Sequence, residues 1–278
     1  MLTITTNWPE YFENHNEGLG TTYERFILHQ YFENIKKRYS VQNILEVPSF
    51  GMTGISGINS MWWASQGVKA TIVDQDKERI NLTKNVWEEV SLKADFVFQN
   101  DNYKSLPFEN NSFDMSWNFA SLWFVPELDK FLKELDRVSR KVIFICIPNR
   151  TGLGHLMRLF AKKESDVPFY MDNIIPGNIK NIMQTLKWKV SDEGYFDVPP
   201  WPDIAMKKED MLGAVGLKWL VKEKDNEEDN GICILDYFIG KKPDMENEIL
   251  KYSFLEDSLK ILKIFWAHHR YFVFEKES

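Results

Sequence analysis

Three segments of this chain place side chains and turns where they could hold a small ligand at the ends of strands. The first is Ile44-Leu45-Glu46-Val47, followed by Gly51, Gly54 and Gly57. A strand that ends in an acid and opens into a glycine loop lets backbone N–H groups approach a ligand closely, because glycine has no Cβ to hold it off. Taken alone, Gly51-x-x-Gly54-x-x-Gly57 reads more simply as a flexible loop. The second segment, Ala70-Thr71-Ile72-Val73-Asp74, ends in a carboxylate about 20 residues beyond that loop. Such a carboxylate can accept both hydroxyls of a ribose, or it can cap a turn. The third is Leu106-Pro107-Phe108-Glu109-Asn110-Asn111-Ser112-Phe113-Asp114, a turn feeding a buried strand. Just beyond it Asn118 interrupts the apolar run Trp117, Phe119, Ala120, and a buried amide needs partners from the backbone or from a ligand.

Positioning these groups requires strands that end at one edge of a sheet. Apolar runs at 43–47, 69–73, 95–99, 113–118 and 141–147 predict five strands, with helices expected over 18–39, 58–66, 77–90 and 126–138. In the first helix Tyr23, Phe26, Ile27, Gln30, Tyr31 and Ile35 fall near the 3.6-residue period. Asp76 is placed to cap the helix at 77–90, and Pro126 with Glu127 and Asp129 to open the helix at 126–138. Strands alternating with helices over roughly 110 residues imply βαβ units. The expected fold is therefore α/β: a doubly wound, mostly parallel, Rossmann-like sheet with helices on both faces. Such sheets bind ligands beyond the carboxyl ends of their strands.

After Asn149 the pattern loosens. It reads as a helix at 178–188, a strand at 189–198, a rigid Pro199-Pro200-Trp201-Pro202-Asp203 turn, a helix at 207–224, a strand at 232–239, a long helix at 246–268 and a strand at 270–275. The expected organisation is an N-terminal helical segment or lid (1–40), a binding core (41–196) and a C-terminal, substrate-side elaboration of the same domain (197–278).

In their order along the chain, the Glu-ended strand with its glycine loop, the Asp-ended strand and the Leu-Pro-Phe…Phe-Asp turn resemble the class I S-adenosylmethionine (SAM) dependent methyltransferases, and among them the small-molecule type 11 group. The resemblance covers residues 40–150. It implies SAM as cofactor, a small-molecule methyl acceptor, and cofactor contacts from Glu46, Gly51, Gly54, Asp74, Gln75, Asp101, Asn102 and Asn118. Asp74 takes the ribose role. The residue meeting the adenine amino group falls on Asn102 by register and on Asp101 by chemistry, since a carboxylate accepts from an amino N–H. The family's glycine motif runs acid-x-Gly-x-Gly-x-Gly. Here Pro48, which has no N–H, stands where the first glycine belongs, Phe50 adds bulk, and Gly51 and Gly54 serve as the remaining glycines.

Methyl transfer from a sulfonium is an in-line displacement that depends mainly on alignment. An oxygen or amine acceptor gains from a base, and His155, in the loop after the fifth strand, is the first candidate. His268 and His269 are expected to end the long helix, either solvated or favourably placed at its negative terminus. His15 lies in the N-terminal segment, where Tyr11, Phe12 and Tyr23 would form the apolar walls of a lid. Trp201 either covers the substrate or pins the elaboration to the sheet.

Bulk properties limit the alternatives. A net charge of -7 argues against tracking a nucleic-acid backbone. Cys146 and Cys233 sit in apolar runs and read as buried free thiols, with no disulfide framework, no zinc spacing and no metal expected. No secretory h-region or membrane-length apolar run is present, so a soluble, cytoplasmic protein is expected. Beside methylation of a protein acceptor, two other readings remain open. One is a methyltransferase fold that binds without transferring methyl, because of its irregular glycine loop. The other is a NAD(P)-linked oxidoreductase, whose Gly-x-Gly-x-x-Gly fingerprint the sequence lacks.

Overall fold

A computed structural model describes residues 8–51, 54–152, 168–200 and 232–277. The apolar runs form β1 (Asn43–Glu46), β2 (Lys69–Asp74), β3 (Asp95–Phe98), β4 (Phe113–Phe119) and β5 (Ser139–Pro148), followed by β6 (Trp188–Phe196) and β7 (His269–Lys276). They make one seven-stranded sheet in the order β3-β2-β1-β4-β5-β7-β6. The first five strands are parallel, and β7 runs antiparallel to both β5 and β6. This order departs at its far end from the 3-2-1-4-5-6 arrangement of dinucleotide-binding sheets.

Helices α1 (Glu10–Glu13), α2 (Gly18–Tyr39), α3 (Met61–Ser65), α4 (Lys77–Glu89), α5 (Leu128–Val138) and α6 (Pro176–Thr185) join or precede the strands. Parallel strands joined by crossover helices are buried on both faces, so their side chains divide between two apolar layers. On β5, Val142, Phe144 and Cys146 enter the layer that holds Phe26, Phe32, Trp63 and Trp87, the layer of α2, α3 and α4. Ile143, Ile145 and Ile147 enter the opposite layer, with Phe131, Leu135 and Met183 of α5 and α6. Asp76 caps α4 as expected, accepting from the N–H groups of Glu78 and Arg79 at 2.9 and 3.0 Å.

Several expectations need correction. Helix α2 is buried without interruption from Gly20 to His29, and Gln30, expected on its apolar face, is exposed. The run at 232–239, rich in Ile and aromatic residues, is not a strand. It contains the short helix α7 (Leu235–Phe238), whose Tyr237 and Phe238 rings pack edge-on or tilted against Phe26 and His29 of α2. The long helix expected at 246–268 is divided into α8 (Met245–Leu250), a 3-10 turn (Ser253–Leu255) and α9 (Lys260–Trp266). Leu259 is extended, at φ -56° and ψ 140°, because Glu256 is held by Tyr23 and Val198 while Trp266 donates to Pro199 O. His269 opens β7 and is buried, rather than solvated at a helix end. Cys146 is buried, whereas Cys233 is only partly so. The helix expected at 207–224, Trp201 and His155 lie outside the described residues. Among the described residues no helix is long and apolar enough to cross a membrane.

Candidate active site

The strand order reverses between β1 and β4, and the carboxyl ends of these strands with those of β2 and β3 frame a single edge. β1 leads into Val47-Pro48, a cis peptide, and then into the glycine loop. Gly51 crosses the end of β4 so closely that a Cβ would lie 2.8 Å from Phe119 O. Gly54 takes φ +75°, and a Cβ there would strike the Arg25 guanidinium and the Glu17 carboxylate. The glycine positions therefore follow from close backbone approach.

Glu46, at the end of β1, is buried and accepts from Ser60 Oγ at 2.6 Å. Burial raises its carboxyl to about 8, against the opposing influence of the Ser60 hydrogen bond and Arg25. It sits beneath the loop, tying β1 to the start of α3.

Asp74 ends β2, fully buried. Its Oδ2 accepts from Arg79 Nε at 2.8 Å, Ser56 Oγ at 2.9 Å and Ser49 Oγ at 3.1 Å. Its Oδ1 accepts from Arg79 Nη2 at 2.5 Å and from the Asp76 N–H at 2.9 Å. A carboxylate has about four lone-pair sites, so the oxygens expected to meet a ribose are already fully engaged by the protein. Arg79 reaches back one helical turn from α4, and its guanidinium lies 3.9 Å from the Phe50 ring centroid and 5.3 Å from that of Trp8. Tyr103 is buried, and its ionisation is pushed well up by burial and by Asp74.

Beyond β3 the structure separates the two adenine candidates. Asn102 is exposed, at φ +58°. Asp101 is partly buried. Its Oδ2 accepts from the Ser105 N–H at 2.9 Å, while its Oδ1 is buried without a partner. Asn118, near the end of β4, is fully buried, and neither its amide oxygen nor its nitrogen has a hydrogen-bond partner. An orphaned buried amide costs about 1–3 kcal/mol per group, so a partner for the Asn118 amide would offset that cost.

Residues 51–145 match the family model described as "Methyltransferase domain". Over these residues the chain resembles a class I methyltransferase domain. The whole chain is similar in fold to a SAM-dependent methyltransferase from Clostridium acetobutylicum, at 8% identity over 92% of each chain with a TM-score of 0.53. It is also similar to a putative sarcosine dimethylglycine methyltransferase from Galdieria sulphuraria, at 11% identity over 90% of this chain and 85% of that one, with a TM-score of 0.51. No curated protein matches the sequence.

Within the matched residues, the glycine-loop N–H groups face protein groups. The Gly57 N–H donates to Ser49 O at 3.3 Å, and the Ile55 N–H donates to Glu17 Oε1 at 3.3 Å. Glu17 is in turn held by a bidentate ion pair with Arg25, whose Nη1 also donates to Asn59 Oδ1 at 2.6 Å. Of the residues before β1, Glu17 meets the loop, whereas Tyr23, expected as a lid wall, belongs to the core. Sequence reasoning missed Arg79, Glu17 and Arg25. The one available signal was Arg79 at five positions past Asp74, in the first turns of the following helix.

Proposed function

We propose that this chain transfers the methyl group of SAM to a small-molecule acceptor. The reading is carried by the orphaned polar atoms of Asp101 and Asn118 at the carboxyl edge of a methyltransferase-like domain. SAM would supply a sulfonium-activated methyl group. Asp101 Oδ1 would accept from the adenine amino group, and Asn118 would use its amide at the end of β4. Asp74 would take the ribose hydroxyls in exchange for Arg79, with Gln75 beside it. Gly51 and Gly54 would give the ligand close access to the loop, and Glu46 would anchor that loop from below. His155 is the proposed base. The acidic balance of the chain favours a compact acceptor over a polymer, and a cytoplasmic setting fits this reading.

A second reading, a methyltransferase fold that binds without turning over, is favoured by the saturated Asp74 carboxylate and by Glu17 in the glycine loop. Calorimetric titration with SAM and S-adenosylhomocysteine, with NAD as control, separates the possibilities. One-to-one micromolar binding of either adenosyl ligand is expected. Binding of neither supports the second reading, and binding of NAD alone points to an oxidoreductase.

A further inference from the structure

A second group of polar side chains lies on the same edge of the sheet, on the far side of β4. His269 pairs in register with Pro148 at the end of β5 and with Phe196 at the end of β6. Its Nε2 is 2.8 Å from Glu24 Oε2, in the buried stretch of α2, and 3.7 Å from Asp197 Oδ2. His268 Nδ1 lies 2.8 Å from the same Asp197 oxygen. Glu24, Asp197 and His269 are 2%, 0% and 6% exposed, so water does not solvate their charge.

Two observations set this group apart from an ordinary buried polar cluster. First, its capacity is not used up within the fold: Asp197 Oδ1, the second oxygen of the carboxylate that faces His269, is buried without a partner. Second, among the described residues no lysine or arginine comes within ion-pair distance of Glu24 or Asp197, whose charged contacts are imidazoles alone. Buried carboxylates without a cation are costly. The surroundings do not relieve the charge. A third carboxylate, Glu256, accepts from Tyr23 Oη and the Val198 N–H, and the phenols of Tyr23 and Tyr31 are pushed upward by burial and by these acids. Asp197 is also held at φ +63°, a conformation that a non-glycine residue adopts at a cost and that gathers at functional sites.

We propose that Glu24, Asp197 and His269 form a binding site for a divalent first-row transition-metal ion of the Zn²⁺ class. One ligand atom from each residue lies within 4.8 Å of the others. Tetrahedral coordination at zinc–ligand lengths of 2.0–2.2 Å needs ligand atoms about 3.3 Å apart, so the set needs only small side-chain adjustments. An imidazole with two carboxylates suits zinc better than magnesium, which prefers an all-oxygen octahedron. Three protein ligands leave a fourth position open, and His268 is placed to hold Asp197 in orientation. The Phe119 ring, at the end of β4, lies 4.6 Å from the His269 ring centroid, so the site borders the proposed methyl-transfer edge. An acceptor hydroxyl or thiol bound at the open position would have its acidity increased by the ion. The site itself does not depend on the methyl-transfer reading.

The test is titration of chelator-treated full-length protein with Zn²⁺ by calorimetry, with Mg²⁺ as control and the melting temperature followed in parallel. The expected result is one Zn²⁺ per chain at micromolar affinity or tighter, a raised melting temperature and no response to Mg²⁺. Asp197→Asn and His269→Gln should each weaken binding at least about 10-fold. If either variant fails to fold, Co²⁺ added to wild type should give the visible absorption of a four-coordinate N/O site, competed away by Zn²⁺. Absence of Zn²⁺ binding to wild type, or undiminished affinity in folded His269→Gln, would overturn the proposal.

Discussion

Arg79→Ala offers a direct probe of the competition between Arg79 and a ribose. In the structure Asp74 is saturated, with two of its five hydrogen bonds coming from the Arg79 guanidinium at 2.8 and 2.5 Å. Hydrogen bonds to charged groups contribute about 1.5–3 kcal/mol each, so displacing the pair costs roughly 3–6 kcal/mol before the freed guanidinium finds new partners. If half of that cost remains unrecovered, the penalty is about 1.5–3 kcal/mol, a factor of at least about ten in affinity. Arg79→Ala is therefore expected to bind S-adenosylhomocysteine about tenfold more tightly than wild type. The same change should lower stability. Breaking one side of a buried ion pair costs about 3–5 kcal/mol, here toward the lower end because Ser49, Ser56 and the Asp76 N–H still donate to Asp74. At roughly 2–4 °C per kcal/mol for a chain of this size, the midpoint should fall by about 6–12 °C. Calorimetry on wild type, Arg79→Ala and Asp74→Ala/Arg79→Ala, run well below each midpoint, gives the answer. The double variant should lose the gain. An Arg79→Ala protein that binds no more tightly than wild type would refute the claim that Arg79 stands in for the ribose.

Two further substitutions follow from the same edge. Asn118→Leu replaces an unpartnered buried amide with an apolar group of similar size, so the unliganded protein should gain about 1–3 kcal/mol by chemical denaturation while losing affinity for adenosyl ligands; a destabilised variant would show that the amide is already satisfied. Glu46 has its folded-state carboxyl raised to about 8 by burial, above its ordinary value of 4.5, so the folded state holds the extra proton between these limits. Its contribution is full below pH 4.5 and lost as pH rises toward 8, a change on the order of a few kcal/mol. Glu46→Gln should flatten that slope in denaturation free energies at pH 5 and pH 8, and equal slopes in the two proteins would count against the assignment.

The strands that build the binding edge were legible in the sequence because parallel strands covered on both faces are continuous apolar runs, each here bounded by Pro, Gly or an acid. Asp101 and Asn118 were legible as polar residues in places where a fold must account for them. Legibility failed where tertiary contact overrode local pattern. The run at 232–239 has the composition of a strand, but Tyr237 and Phe238 pack on α2 as part of a helical turn. The helical period at 246–268 breaks because distant partners fix Glu256 and Trp266. His269 read as a helix-end residue because nothing local reveals that its strand inserts beside β5. Arg79 was missed for a related reason: spacing can find a carboxylate, but it does not report which cation will occupy it.

The insertion of β7 between β5 and β6 also determines when the sheet can be completed during protein synthesis. Strand β5 emerges long before β7, and in the completed sheet β6 lies one strand farther out from β5. At ordinary elongation speeds the nascent chain carries an unpaired β5 edge for on the order of 10 s. That edge includes Phe144, Ile145, Cys146 and Ile147, and an open apolar strand is a template for pairing with neighbouring chains. A ribosome stall before residues 269–276 would therefore leave a species with an incomplete sheet and a tendency to aggregate.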